Sequence, residues 1–276
     1  MLTEKNIENR KLGIGASEAG IVMGLSKFMS PYELWRIKTG LDQPKNLDDV
    51  PQVHWGHIHE EAIAQEYARV TNCKVRKMSN TIFHKEYPFM LCHLDRKIEG
   101  QPKVLECKYA MYNRDDWGPN GSDIVPLSYI VQVQYQMAVT GYIEADLAVL
   151  ISGWDFRIYH FKRDEELIAK ILSEVKKFWQ CVTDNVRADL RDRDDVAIAF
   201  PENNGSFKEA DTTICKTVES LKKIKQEIKN YEDEKKALEN KLALFLEDAD
   251  GVKVASQVLA TWKANSRGSR VLRIVE

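Results

Sequence analysis

The 276-residue chain lacks most of the features that would place it in a special class of protein. Its five cysteines (Cys73, Cys92, Cys107, Cys181 and Cys215) are scattered and form no CxxC pair, so the sequence predicts neither a zinc ribbon nor a disulfide framework. The amino terminus, MLTEKNIENRKLG, is charged and lacks the apolar stretch of a signal peptide. No run approaches the roughly 18 apolar residues that a membrane span requires. We therefore expect a cytoplasmic protein that does not contact a membrane.

An excess of positive charge is also missing. The formal net charge is −2, whereas nucleic-acid-binding proteins usually carry a basic surplus. An enzyme can nevertheless confine its positive charge to one groove, so the balance lowers the expectation of nucleic-acid binding without excluding it. The 43% hydrophobic content is sufficient for a buried core of substantial size.

Helices and strands alternate through the first two thirds of the chain, which predicts an α/β fold with a mixed central sheet flanked by helices. Ser17 is placed to cap a first helix, and Ser30, Pro31 and Glu33 fit the cap and first turn of a second. A third amphipathic helix carries Glu60. The strand-like runs that follow are CKVRKMS, TIFHKEY, FMLCHLDRKIEG and KVLECKYA, then, after a helix at about 126–141, EADLAVLISG and DFRIYHFKR.

The domain organisation follows from a polar, turn-rich stretch that contains LRDRDD and PENNGS. We predict a core at 1–190, a linker at 191–206 and a C-terminal extension at 207–276. The extension has apolar residues at alternating spacings of three and four, typical of a coiled coil or a helical hairpin: Leu221, Ile224, Ile228, Tyr231, Leu238, Leu242 and Phe245. Residues 216–248 carry eight Lys and eight acidic residues, so this helix is zwitterionic rather than basic. A terminal hairpin and a last strand follow.

The chemistry of the chain is expected in the stretch KVLECKYA. Side chains alternate across a strand, so Glu106 and Lys108 face one side while Cys107 faces the other. Asp95, on the run before, can lie close to Glu106 across a hairpin. Two carboxylates held together raise the pKa of one of them, and a divalent cation such as Mg²⁺ would relieve this repulsion. Taken alone, the pattern is also compatible with a surface ion pair.

At this point the chain resembles a known family: the phage lambda-type exonucleases and YqaJ-like viral recombinase nucleases of the restriction-endonuclease-like, PD-(D/E)xK superfamily. Five short motifs carry the resemblance in the same order: KLGIGASEAG, WGHIHEEA, LCHLDRKI, VLECKYA with NRDDW, and YIVQVQYQMAVTG. Together they cover roughly residues 10–180. The resemblance implies a restriction-endonuclease-like core, followed here by a helical and hairpin extension.

The resemblance also implies roles for individual residues. Glu60 matches the family's helix glutamate, and Asp95 and Glu106 match its metal-binding carboxylates. The three would hold the metal together, with the main-chain carbonyl of Cys107 completing the shell. Lys108 matches the catalytic lysine. Further matches are Gln132, the glutamine that holds the lysine or the water, and three residues at the position of the 5′ phosphate: Lys11, Ser17 and Arg114. Lys11 stands where arginine is expected, and His93 departs from the small residue that is often found two positions before the aspartate.

The function implied by the resemblance is Mg²⁺-dependent digestion of one strand of linear duplex DNA from 5′ to 3′, with Mn²⁺ as a possible substitute. This would leave 3′ single-stranded tails for phage-type recombination by annealing. The implied partners are duplex DNA ends, a single-strand annealing protein and further copies of the chain in a trimeric ring. The implied location is the cytoplasm of a bacterial host, if a phage or prophage encodes the chain.

Two other functions remain open from the sequence. One is a structure- or sequence-specific endonuclease with the same ions, because the superfamily shares its catalytic core. The other is a non-catalytic DNA-binding or assembly protein that works through the 216–248 helix, although the presence of both Glu106 and Lys108 speaks against it. His54, His57 and His59 do not form an HExxH motif, so zinc is not favoured.

Overall fold

The computed structural model describes residues 12–47, 50–111 and 114–275, with only the backbone of Arg114. The chain divides into two compact units between Glu202 and Asn203, a point inside the stretch 191–206. No helix in the described residues is both long and apolar enough to cross a membrane.

The first unit alternates helices and strands. Its elements in chain order are β1 (Ile14–Gly15), α1 (Ala16–Val22), α2 (Pro31–Lys38), α3 (Pro51–Thr71), β2 (Val75–Lys77), β3 (Ile82–Phe83), β4 (Met90–Cys92), β5 (Arg96–Ile98), β6 (Lys103–Ala110), a 3₁₀ turn (Arg114–Asp116), α4 (Leu127–Thr140), β7 (Glu144–Ile151), β8 (Asp155–Lys162), α5 (Glu165–Thr183) and α6 (Arg193–Ala199).

The main sheet has five strands in the order β2-β5-β6-β7-β8. Strands β6 and β7 run parallel, with Glu106 opposite Leu147, and the other neighbours are antiparallel. A parallel pair needs a crossover, and helix α4 supplies it. The second sheet of this unit is small, in the order β1-β4-β3. The predicted mixed sheet flanked by helices is therefore confirmed.

Helices cover both faces of the main sheet. On one face, Ile63 and Tyr67 of α3 pack with Leu105 of β6 and Ala148 of β7. The other face, which includes Val104, belongs to a larger cluster with α1, α4 and α5. Helix α4 is apolar around most of its circumference and largely buried, as a crossover helix between two layers should be. The sheet thus holds β6 and β7 rigidly at the centre of the unit.

The capping residues predicted from the sequence mostly lie at the observed helix N-termini. Ser30 accepts a hydrogen bond from the N–H of Glu33, with Pro31 at the first helical position, and Asp164 caps α5 in the same way. The prediction for Ser17 is wrong: α1 is capped by Gly15, whose N–H donates to the carboxylate of Glu18 at 2.8 Å. Ser17 is therefore an exposed residue of the first turn.

Two predicted segments differ from the structure. The run FMLCHLDRKIEG was expected to form one strand, but β4 ends at Cys92 and β5 begins at Arg96, in a different sheet. The second difference is α6, a short helix at 193–199 where only polar turns were expected. Asp195 of α6 is buried and accepts hydrogen bonds from the Ser30 hydroxyl and the Arg191 N–H. This buried carboxylate explains why an apparently solvated stretch belongs to the first unit.

The second unit consists of one long helix and one small sheet. Its elements are α7 (Thr212–Leu246), β9 (Gly251–Val254), β10 (Gln257–Ala264) and β11 (Arg270–Ile274), with the strands in the order β11-β10-β9. Because α7 is a single uninterrupted helix, the helical-hairpin alternative is wrong. The terminal hairpin and last strand are present as predicted, joined in one antiparallel sheet.

Candidate active site

The site is centred on the carboxylate of Glu106, in the middle of the central strand β6. Glu106 is only 2% exposed, and its side chain lies on the face of the sheet that α4 covers. Lys108, two residues further along the same strand, donates from Nζ to Glu106 Oε1 at 2.6 Å. The alternation predicted from the sequence is therefore observed, and it places acid and base side by side.

Helix α4 contributes two glutamines, four residues apart and hence on one face of the helix. Gln132 Nε2 donates to Glu106 Oε1 at 2.5 Å, and Gln136 Nε2 donates to Glu106 Oε2 at 2.6 Å. Both carboxylate oxygens therefore have donors. Gln132 was expected beside the strand; Gln136 was not, although its spacing from Gln132 was a signal that could have revealed it.

Asp95 lies at the start of β5, directly beyond the last register pair of the hairpin, Arg96 with Leu105. Its Oδ2 accepts the N–H of Cys107 at 2.8 Å. The Asp95 carboxylate thus accepts a main-chain hydrogen bond from β6 at the point where the pairing of β5 with β6 ends. The predicted approach of Asp95 to Glu106 across the hairpin is consistent with the pKa of Asp95, which burial and the Glu106 charge raise to about 8.

Lys108 is held as a cation in spite of its burial. Burial alone would lower its pKa, but the charges of Glu106 and Asp95 outweigh this, and the net pKa lies above the usual range. Its ammonium also lies 5.2 Å from the ring centroid of Tyr129, within range of a cation–π contact. The lysine therefore has a fixed position and a fixed charge.

Glu60 reaches the neighbourhood of Asp95 from α3, but an arginine separates them. Arg96, 2% exposed, donates to Glu60 Oε1 at 2.6 Å, to Glu61 Oε2 at 2.7 Å and to the main-chain oxygen of Asp95 at 2.7 Å. The sequence interpretation missed this arginine. The signal was its position next to Asp95, because alternation turns Arg96 to the opposite face, toward α3.

The fit of this cluster to a divalent cation can be judged from the donors present. Asp95 and Glu106 are hard oxygen ligands with mutual repulsion that a cation would relieve. Oε1 of the fully buried Gln136 lacks a hydrogen-bond partner among the described residues, and a cation that retains several waters could supply one. Within those residues no group of three His, Cys, Asp or Glu side chains is already arranged around a metal position. Asp95 and Glu106 therefore fit the ion, while Glu60 is engaged by Arg96.

The remaining predicted site residues have different outcomes. Lys11 lies outside the described residues, and so does the side chain of Arg114. Ser17 is exposed on α1. His93 does not share a strand with Asp95; its Nε2 lies 2.9 Å from the Thr81 hydroxyl, and its main-chain oxygen accepts from Gln136 at 3.4 Å.

Comparison with known proteins gives the family of the chain. The family model described as YqaJ-like viral recombinase domain matches residues 7–143. The uncharacterized protein YqaJ of Bacillus subtilis (strain 168) is 35% identical over 253 residues, which span 88% of this chain and 78% of that protein. The chain belongs to the YqaJ family.

Two solved structures that are similar to this chain are of exonucleases. An alkaline exonuclease (LHK-Exo) from Laribacter hongkongensis aligns with a TM-score of 0.54 and 21% identity, covering 66% of this chain and 94% of that chain. A phage-related exonuclease from Haemophilus somnus 129PT aligns with a TM-score of 0.50 and 14% identity, covering 63% and 95%. These likenesses show the fold, which is restriction-endonuclease-like as the motifs predicted.

Proposed function

We propose that the chain is a metal-dependent deoxyribonuclease that digests one strand of linear duplex DNA from 5′ to 3′ and leaves 3′ single-stranded tails for recombination. The observation that carries the proposal is the convergence of Asp95, Glu106, Lys108 and Gln132 at the centre of the sheet. Family membership and the exonuclease fold support it. A structural ion pair would not need two glutamines and a second carboxylate around it.

The carboxylates of Asp95 and Glu106 and the main-chain carbonyl of Cys107 would hold Mg²⁺, or Mn²⁺ in its place. Glu60 would join them by exchanging its contact with Arg96. When bound, the ion would lower the pKa of a coordinated water and offset negative charge on the phosphoryl group.

The residues of the chain have separate tasks in this mechanism. The Lys108 ammonium would orient the attacking water and stabilise the charge that develops on the phosphate oxygens. Gln132 and Gln136 keep the Glu106 carboxylate in one orientation, so the metal ligand and the lysine stay in register. Lys11, Ser17 and Arg114 are proposed to hold the 5′ phosphate, as in the family motif.

Cleavage of paired substrates tests the proposal. One linear duplex carries a label at each 5′ end, a second carries it at each 3′ end, and a covalently closed circle has no end. With Mg²⁺ we expect rapid release of the 5′ label as mononucleotide, slow loss of the 3′ label, and an intact circle. EDTA should abolish release, and Glu106→Gln should reduce it by at least about a hundredfold.

Other results would contradict specific parts of the proposal. Cutting of the closed circle would indicate the endonuclease alternative. Faster loss of the 3′ label would show that digestion runs from 3′ to 5′. Cleavage that persists in EDTA would show that the reaction does not need a metal ion. DNA binding without any cleavage under Mg²⁺ or Mn²⁺ would favour a non-catalytic assembly protein.

We also propose that the chain forms a homo-oligomer, a trimeric ring in the family manner, and that it works with a single-strand annealing protein. The exposed seam of α7 supports self-association, because residues such as Leu221, Ile224 and Ile228 are each about half exposed. Light scattering of the purified protein should give a mass close to three chains. A monomer at all concentrations would exclude the ring.

A further inference from the structure

The terminal sheet of the second unit has a one-sided charge composition. Residues 251–275 contain five basic residues and no Asp or Glu: Lys253, Lys263, Arg267, Arg270 and Arg273. The helix before it is balanced, with eight Lys and eight acidic residues in 216–248. The basic surplus of this unit is therefore concentrated in its sheet.

Strand register brings three of these cations to one face. Thr261 of β10 is opposite Gly251 of β9 on one side and Arg273 of β11 on the other. Side chains alternate along a strand, so Lys253 and Lys263 face the same way as Thr261. Each of the three neighbouring strands contributes one cation. We call Lys253, Lys263 and Arg273 the basic face.

The opposite face of the sheet is used for packing within the unit. Ala260 is 2% exposed, and Trp262 lies beside Arg270 with the guanidinium 5.1 Å from the ring centroid. Arg270 donates to the main-chain oxygens of Glu247, Ala249 and Trp262. Arg270 thus ties the sheet to the end of α7, and its charge has a structural role that the basic face does not share.

The three cations of the basic face are exposed. None of their side chains has a hydrogen bond or ion pair to any residue that the structure describes. The three charges are staggered along neighbouring strands that lie about 4.8 Å apart, so they form a diagonal patch of like sign across the sheet. Such a patch opposes its own folding slightly and attracts polyanions, of which duplex DNA is the densest, with one charge per about 1.7 Å of helix axis.

We propose that the basic face is a second DNA-binding surface, distinct from the catalytic cluster, which binds the sugar–phosphate backbone without reading its sequence. The choice of DNA as the polyanion rests on the proposed nuclease function. Phosphate contacts of this kind fix a protein on DNA through charge alone. The surface would retain the substrate while successive nucleotides are removed at the active site.

Binding of a short blunt-ended duplex in EDTA, followed by fluorescence anisotropy over a range of KCl concentrations, tests the proposal. The test variant is K253A/K263A/R273A. The matched control is K222A/K229A/K236A, which removes three exposed cations at seven-residue spacing from α7 of the same unit. Each lost phosphate contact should reduce the slope of log K against log salt by about one. We therefore expect the slope to fall by about three in the test variant and to change little in the control.

Equal affinity and equal salt slope in the two triple variants would overturn the proposal. A charge-conserving variant, K253R/K263R/R273K, should restore both quantities if charge is the cause. Thermal melting of all three variants checks that the sheet is folded. If the test variant loses binding to phosphatidylserine vesicles but not to DNA, the face is a membrane surface and the proposal is wrong.

The same proteins separate this proposal from the nuclease proposal. If the wild-type protein cleaves DNA and the test variant binds DNA as tightly as wild type, the basic-face proposal is wrong and the nuclease proposal stands. If the wild-type protein does not cleave DNA but its DNA binding is lost in the test variant, the nuclease proposal is wrong and the basic-face proposal stands. If both proposals hold, the test variant should cleave with the same initial rate at saturating DNA but release its substrate earlier.

Discussion

Charged side chains are arranged in opposite ways in the two units of this protein. Around Glu106 they are buried or partly buried and each has a defined partner: both Glu106 carboxylate oxygens accept hydrogen bonds, and Lys108 lies between Glu106 and Tyr129. In the terminal sheet, by contrast, Lys253 and Lys263 are exposed. The first arrangement costs desolvation energy, which the hydrogen bonds and opposite charges around Glu106 offset. The second leaves charges available to a partner.

Apolar side chains show the same contrast. Leu147, beside Glu106 in the sheet, is completely buried, whereas Ile228 on the seam of α7 is 51% exposed. The first unit thus contains the packing that stabilises it. The second exposes apolar and charged surface that a partner could bind. Mutations in the first unit should therefore change stability or catalysis, and mutations in the second should change binding or self-association.

The largest effect is expected from Glu106→Gln. The substitution keeps the shape of the side chain but removes the charge that would bind the metal ion and that holds Lys108 in place. Strand cleavage should fall by at least about a hundredfold, the usual loss when a group that stabilises the transition state is removed. Initial rates on a linear duplex measure it. Glu99→Gln, an exposed residue paired with Arg76, is the control and should retain wild-type activity.

Truncation of Leu147 to alanine should have the largest effect on stability. Removal of a fully buried leucine side chain costs about 2–5 kcal/mol through lost transfer energy and a residual cavity. Urea denaturation followed by circular dichroism measures the change. A loss below about 1 kcal/mol would mean that the centre of the sheet relaxes more freely than its burial indicates.

Gln136→Leu tests whether the second glutamine acts through Glu106. The leucine has a similar volume but no donor for Oε2, so activity should fall by about 10- to 100-fold, as for other residues that orient a metal ligand. The apparent Mg²⁺ affinity should fall with it.

Gln134→Leu is the matched control for this substitution. Gln134 is equally buried but bonds to the main chain of Lys162 and Asp164 instead of Glu106. It should lower stability without a change in Mg²⁺ dependence. If both variants lose activity in the same proportion, Gln136 is a packing residue only.

Asp95→Asn should alter the pH dependence of stability in the metal-free protein. The pKa of Asp95 in the folded chain is about 8, above the value of about 3.9 for an unfolded aspartate. The folded state therefore binds the extra proton, and its stability falls as pH rises from about 4 to about 8, by at most about 1.4 kcal/mol per pH unit. The asparagine variant should lack this decline. Melting temperatures in EDTA across that window measure it, and parallel curves would contradict the raised pKa.

The sequence predicted that Glu106 and Lys108 lie side by side because strand alternation is a local property. The position of Glu106 and Lys108 on one face depends only on periodicity, whereas the position of Gln132 beside them was implied by the resemblance to the family. Arg96 was missed because its role depends on α3 crossing the other side of the sheet, which no local pattern encodes. The same applies to Asp195, whose burial depends on a hydrogen bond to the distant Ser30. The strand break between Cys92 and Arg96 was missed because the run is continuously strand-like in composition.

The smallest effect is expected from Ile228→Ala on α7. A half-exposed side chain on a helix surface contributes little to the stability of its own chain, and alanine has the higher helix propensity, so the free energy of unfolding of the monomer should change by no more than about 0.5 kcal/mol. Stability measured at the lowest usable protein concentration tests this value. If self-association covers the seam, the variant should instead show a melting temperature that falls below wild type progressively as concentration rises, because only the assembled state loses the contact. A large loss at every concentration would mean that the seam is packed within the chain, and the contrast between the two units would no longer hold.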